Sequence, residues 1–381
     1  MEFRDGLPRE LTPLTDIELR LLADTSDARD VHLSVYIPTA NHEDEQLNMA
    51  FVASRVKAIR QALEGSVREE FEATFHQVED LLFHGPVPGE RGRVVFASAS
   101  SSFFVAYRLG VEPARKLVLD NSPFILPLME MRDDYEDYGI ILMDSDEARL
   151  YFVRSKALEL VQSSSIDLMN RHKKGGMSQK RFNRGRRGSI DAFVSQIVED
   201  LEKRDDLDKM RGLVIAGPGK EKKLLVDALP KHLAGMVIGM LDVSIEIPHH
   251  NLLARGEEIA TAHEREGETQ AIEELRKAIY KDEMAAIGVN EVRDALLQGR
   301  VETLLVLKDL SIPGWICEGC KGIHMGAAPN GTCPDCDGPV SGADIVNELA
   351  ELVERTDARI EIVSASPFLE SIGGLGATLR Y

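Results

Sequence analysis

The chain has 381 residues, 43% of them hydrophobic, with a formal net charge of -19. That length allows two or three ordinary domains, and that apolar fraction is normal for a soluble globular protein. The opening MEFRDGLPRE lacks a signal-type apolar core and no apolar run approaches membrane-spanning length. A cytoplasmic location without membrane contact is therefore expected.

Residues 1–133 read as an α/β domain. DVHLSVYIPT (30–39) alternates like a strand and stops at Pro38. Two amphipathic helices follow over 43–63 and 68–83, then a hairpin over 91–109 with the serine-rich turn Ser98 to Ser102. That turn lacks the glycine-lysine pattern of a phosphate loop and reads as a polar hairpin turn.

Residues 134–257 form the expected middle domain. Asp137 to Val153 reads as a hairpin around an acidic turn, and Ser189 is a plausible N-cap for a helix over 189–204. That helix carries Ile190, Phe193, Val194, Ile197, Val198 and Leu201 at helical spacing. Strand, turn, helix and strand over 210–247 suggest a parallel βαβ unit. Its Gly217-Pro218-Gly219-Lys220 is a turn, lacking the ending of a nucleotide loop. His249 and His250 read as solvent-exposed loop histidines.

Residues 258–381 are the expected third domain: a charged helix over 257–282, then helix, glycine cap and strand over 289–310. It holds all four cysteines, Cys317, Cys320, Cys333 and Cys336, as two Cys-x-x-Cys pairs, with Gly322 and Gly338 just beyond each. Such paired knuckles fit structural Zn²⁺ in a mini-domain over about 313–340; two disulfides are the alternative, disfavoured in a reducing compartment. His324 lies close enough in sequence to replace one thiolate.

The most informative stretch is RHKKGGMSQKRFNRGRR, residues 171–187. It holds eight Lys/Arg and no acid, so the rest of the chain stands at -27. Concentrated positive charge in an acidic chain suits phosphates; a solvated basic loop is the bland reading. Arg171, Lys173, Lys174, Lys180, Arg181, Arg184, Arg186 and Arg187 are the candidate RNA contacts. Gly175 and Gly176 permit close backbone approach to a ligand, and Ser178 and Gln179 follow at once.

This stretch resembles the catalytic loop of the archaeal and eukaryotic class-1 translation release factors. Asp167, Leu168, His172, Gly175, Gly176, Ser178, Arg181, Phe182 and Arg184 match that pattern without a gap. The family's glutamine position holds Met177, and the glutamine comes two residues later as Gln179. This Gly-Gly-x-Ser-Gln form resembles the bacterial and archaeal offshoot and related ribosome-quality-control factors. The chain's ending, with Gly373, Gly374, Gly376, Leu379, Arg380 and Tyr381, also resembles the release-factor and Pelota ending. The first domain resembles the family's N-terminal domain, but Ala53-Ser54-Arg55-Val56 does not match its stop-codon-reading motif.

The resemblance implies a three-domain, mixed α/β architecture with a zinc-knuckle mini-domain in the third domain. It implies a ribosome-dependent factor acting on peptidyl-tRNA, with Gly175, Gly176, Ser178 and Gln179 at the chemistry and rRNA and tRNA as partners. The chemistry is ester hydrolysis or cleavage near the tRNA 3′ end. The alternative is a non-catalytic factor occupying the A site of stalled or idle, hibernating ribosomes. A translational GTPase is an expected partner of the third domain, and a monomer is expected off the ribosome.

Overall fold

A computed structural model describes residues 7–25, 31–166, 177–281 and 284–381, apart from 318, 321, 328, 330 and 331; of residues 42 and 177–186 it describes the backbone. The contacts divide the chain into two compact units, Tyr135–Gly267 and the combination of Met1–Asp134 with Glu268–Tyr381. The sequence suggests three segments; the first and third share one unit. Among the described residues no helix is long and apolar enough to cross a membrane.

After a short helix α1 (Leu19–Asp24), strand β1 (His32–Pro38) is buried at every position. Helix α2 (His42–Ala62) starts at a capping box, in which the Asn41 N–H donates to Asp44 Oδ2 at 3.0 Å. Helix α3 (Gly65–Leu82) places Phe71, Phe75 and Val78 on one face. Strands β2 (Gly92–Ser98), β3 (Phe103–Leu109) and β4 (Lys116–Asp120) complete an antiparallel sheet of order β3-β2-β1-β4. Leu33, Val35, Ile37, Val95, Ala97 and Leu117 meet α2 and α3 on one sheet face. The Ser98–Ser102 turn is polar as expected, with Ser102 at φ 57° and the Ala99 N–H donating to Thr74 Oγ1. Helix α4 (Leu126–Asp134) ends this segment.

The Tyr135–Gly267 unit is built on a five-stranded sheet. Strands β5 (Tyr138–Met143), β6 (Glu147–Arg154) and β7 (Ala157–Ser165) form two antiparallel hairpins. Helix α5 spans Met177–Glu202. The expected start at Ser189 is therefore twelve residues late. Ser189 is mid-helix, because Gly188 costs only about 1 kcal/mol in a helix interior and Gln, Lys and Arg before it are good helix formers. Strand β8 (Gly212–Gly217), helices α6 (Glu221–Ala228) and α7 (Lys231–Gly235), and strand β9 (Val237–Asp242) follow. The order is β7-β6-β5-β8-β9, with β5, β8 and β9 parallel, so the expected βαβ unit is present. Helices α5 and α6 cover one face. The first part of helix α8 (His249–Tyr280) covers the other.

The expected helix over 257–282 begins earlier. His249 and His250 stand exposed in its first turn rather than in a loop, because Pro248 accepts the N–H groups of Asn251 and Leu252. Beyond α8 come β10 (Ala285–Ile287), α9 (Gly288–Leu297), β11 (Val301–Leu307), β12 (Pro313–Cys317), β13 (Ile323–Met325) and β14 (Val340–Asp344). Helix α10 (Ile345–Arg355), β15 (Arg359–Val363), α11 (Pro367–Ser371) and β16 (Leu375–Leu379) close the fold. One sheet has the order β10-β16-β11-β15; a smaller one has the order β13-β12-β14.

Helix α10 explains why the two ends of the chain make one unit. It is buried from Ile345 to Val353. Asn347 Oδ1 accepts the N–H groups of Ile125 and Leu126 at 3.0 and 3.2 Å. Glu351 accepts from Ser122 Oγ at 2.5 Å, and Arg355 reaches the Ala23 carbonyl. The backbone N–H groups of Ile125 and Leu126 in one segment are thus satisfied by a buried side chain of the other.

Candidate functional site

The basic segment enters from β7, an edge strand, and leaves as the start of α5. Arg171, Lys173, Lys174, Gly175 and Gly176 lie outside the described residues. The backbone of Ser178, Gln179, Lys180, Arg181, Arg184 and Arg186 belongs to the first three turns of α5, and Arg187 is exposed. Residues 177–188 contain five Lys/Arg and no acid; the first acid is Asp191. Positive charge at a helix N-terminus opposes the helix dipole, so a bound anion stabilises both at once.

The remainder of α5 fixes where that charge is held. Ile190, Phe193, Val194, Ile197 and Leu201 are buried against Ile141, Phe152, Leu213 and Ile215 of the sheet. This burial at i, i+3, i+4, i+7 spacing clamps the helix, while Gly188 and Ser189 are exposed just before it. Helix α5 is thus apolar and packed on the sheet from Ile190 onward, and its sequence is cationic before that.

The Gly217–Lys220 segment is a turn, as expected, held by a lysine that sequence reasoning passed over. Lys222 Nζ is buried and donates to the carbonyls of Gly217 and Gly219 at 3.0 and 2.6 Å and to Asp242 Oδ1 at 2.6 Å. Gly217 sits at φ 147°, where a Cβ would collide with the Met143 carbonyl oxygen. The ammonium is saturated by these acceptors, so the turn is structural. The lysine's position at α6 gives it no motif to be read by.

The cysteines form the second candidate centre. Sγ atoms of Cys317, Cys320, Cys333 and Cys336 all lie within 4.8 Å of one another, and no pair is bonded. Two Sγ–Sγ separations are 3.3 Å (317 to 336) and 3.9 Å (320 to 333). A tetrahedral metal with ~2.3 Å bonds to sulfur sets these separations near ~3.8 Å, so the cluster fits. Backbone N–H groups of Cys320 and Asp335 point at Cys317 and Cys333 sulfurs at 3.5 and 3.4 Å. The first of these, with the neighbouring thiols, pulls the Cys317 thiol down to about 7. Cys320 is lowered by the Gly322 N–H but pushed up to about 12 by Cys317 and the others, because four thiols cannot ionise together without a cation. His324 stacks on Trp315 with ring centroids 4.0 Å apart and stands outside the four-sulfur cluster.

Residues 123–261 match the family model described as bacterial archaeo-eukaryotic release factor family 10, and residues 266–381 match eRF1 domain 3. Peptide chain release factor subunit 1 of Thermococcus kodakarensis is 30% identical over 284 residues, covering 67% of this chain and 68% of the relative. Its counterpart in Methanocaldococcus jannaschii is 25% identical over 401 residues, covering 92% of each. Among solved structures, ribosome-bound archaeal Pelota with ABCE1 is 18% identical, with a TM-score of 0.44, covering 98% of this chain and 95% of that one.

Proposed function

The chain belongs to the release-factor/Pelota-like superfamily, and from that premise we propose that it is a ribosome-associated release or rescue factor acting through the segment that opens α5. The observation that carries this reading is the helix itself. A run of cations leads into a clamped helical arm, with Gly175-Gly176 before its first residue and Ser178-Gln179 in its first turn.

In this reading Arg171, Lys173, Lys174, Lys180, Arg181, Arg184, Arg186 and Arg187 hold rRNA and tRNA phosphates. Gly175 and Gly176 let the backbone approach the 3′ end of a peptidyl-tRNA. Gln179, with Ser178 beside it, orients a water on the ester carbonyl. The water oxygen bonds to that carbon, the bond to the ribose oxygen breaks, and the proton ends on the ribose oxygen. The ester is already activated, so positioning suffices without a strong base.

The cysteine cluster holds structural Zn²⁺ in this account. Four thiolates close the coordination shell, so the metal supplies folding energy and no reaction step. The family relationship supports a translational GTPase as a partner of the third domain; a monomer off the ribosome is part of the same proposal.

The test is a stalled-ribosome assay with labelled peptidyl-tRNA that follows peptide and tRNA separately. Free peptide with tRNA intact is the expected product. A tRNA shortened at its 3′ end assigns phosphodiester cleavage instead. Ribosome binding with neither product leaves a non-catalytic A-site occupant, a reading favoured by Met177 at the family's glutamine position.

A further inference from the structure

A cavity of about 430 Å³ opens inside the unit formed by the chain's two ends. One wall is β4, the edge strand of its sheet. Strand alternation splits β4: Leu117 and Leu119 pack toward α2 and α3, leaving Lys116, Val118 and Asp120 for the opposite face, where they line the cavity. Helix α4 supplies Leu126 and Glu130, with Phe124 just before it. The opposite wall is Gly342 to Asp344 of β14, the edge strand of the small sheet. Asp309 stands at the rim, at φ 60°.

Two properties select an occupant. The first is charge. Asp120, Glu130, Asp309 and Asp344 face one ammonium, Lys116, which lies 5.7 Å from the Phe124 ring. Asp344 is engaged, accepting from Ser311 Oγ and from the Val346 N–H at the head of α10. Glu130 makes no hydrogen bond or ion pair among the described residues, and burial raises its pKa, with Lys116 and Lys308 opposing and Asp309 and Asp134 adding to the rise; Lys308 is itself paired with Asp134. A polyanion is repelled here and a cation is attracted.

The second property is the open strand edge. Gly342 sits mid-strand in β14 where an added Cβ meets nothing within 4 Å. A strand-interior glycine beside open space lets another backbone come close. Strand addition takes its affinity from main-chain hydrogen bonds and its selectivity from alternate side chains. Here those side chains meet an apolar floor, Val118, Phe124 and Leu126, and acidic walls. We propose that this cleft docks an extended, lysine- or arginine-bearing segment of a protein partner, added as a fourth strand on β14.

The test uses the full chain and a fluorescein-labelled decapeptide of alternating lysine and valine, followed by anisotropy. Binding is expected to weaken about tenfold or more in Glu130→Gln/Asp309→Asn, which keeps the shape and suits the positive φ. Gly342→Val is expected to weaken it similarly while leaving the melting temperature unchanged, since β-branched residues suit strands. A control, Glu69→Gln/Glu79→Gln on the exposed side of α3, keeps full affinity. Amide-exchange protection appears over 340–344, and a peptide methylated on alternate backbone nitrogens loses binding. Equal weakening in the control, equal binding of a glutamate-valine peptide, displacement by an RNA oligonucleotide, or no binding at all overturns the proposal.

Discussion

Replacing Gly188 with alanine should stabilise the Tyr135–Gly267 unit, although the residue sits beside the cationic segment. Gly188 is the twelfth residue of α5, it is exposed, and an added Cβ meets nothing within 4 Å. Its φ is not among the positive ones. The substitution therefore removes unfolded-state freedom without a clash, which is worth about 1 kcal/mol. For a unit spanning residues 135–267, an unfolding entropy of ~2.1 cal/mol/K per residue converts that gain to roughly 3–4 °C. Calorimetry of the whole chain reads it. Fluorescence of the single tryptophan, Trp315, reports the other unit and should not shift. The companion change, Ser189→Ala, should be near neutral, whereas loss of a true N-cap costs about 1 kcal/mol. If Gly188→Ala lowers the transition, or Ser189→Ala costs as much as a cap, α5 does not run through Gly188. The placement of Ser178 and Gln179 on a clamped helix then fails.

Three further outcomes follow from separate parts of the structure. Lys222→Met should destabilise the same unit by about 2–4 kcal/mol in urea denaturation, because the carbonyls of Gly217 and Gly219 lose a buried charged donor. A strong chelator, or Cys333→Ser, should lower the melting temperature followed by Trp315, which packs in the same small core as Cys317 and Cys333; a chelator-insensitive transition removes the metal from the account. Burial pushes the Glu351 carboxyl up to about 8, against opposing pulls from Ser122 and Arg355. A raised acid pKa means the folded state holds the proton longer. The contribution from this group is therefore complete below about pH 4.5 and is lost as pH rises through about 8. Melting temperature against pH should fall over that window and flatten in Glu351→Gln. A rise over the same window contradicts the assignment.

Much of the fold is written in local pattern. The alternation of β1, the 3.6-residue periods of α3 and of α5 from Ile190 onward, and the glycine turn after β8 each come from short-range rules. The Cys-x-x-Cys pairs foretell the sulfur cluster because closing two short loops leaves few other arrangements. What the sequence conceals depends on distance along the chain. Asn347 satisfies backbone N–H groups at 125 and 126, so the union of the two ends has no local signature. Lys222 is one lysine among many until its three acceptors converge on it. The start of α5 is missed because the apolar period and the N-cap candidate Ser189 both begin only after Gly188, while the packed stretch beyond Gly188 carries the helix through it. The cavity between β4 and β14 arises from edge strands far apart in sequence, and no motif announces it.

Gln179 is the residue on which the proposed release chemistry most directly depends. The measurement is single-turnover peptide release from stalled ribosomes, comparing the unaltered chain with Gln179→Ala and Met177→Ala at equal ribosome occupancy. A loss of about 10²–10³-fold is expected for Gln179→Ala, with Met177→Ala close to the unaltered chain. Release that survives Gln179→Ala, or that falls with Met177→Ala instead, contradicts the proposed chemistry.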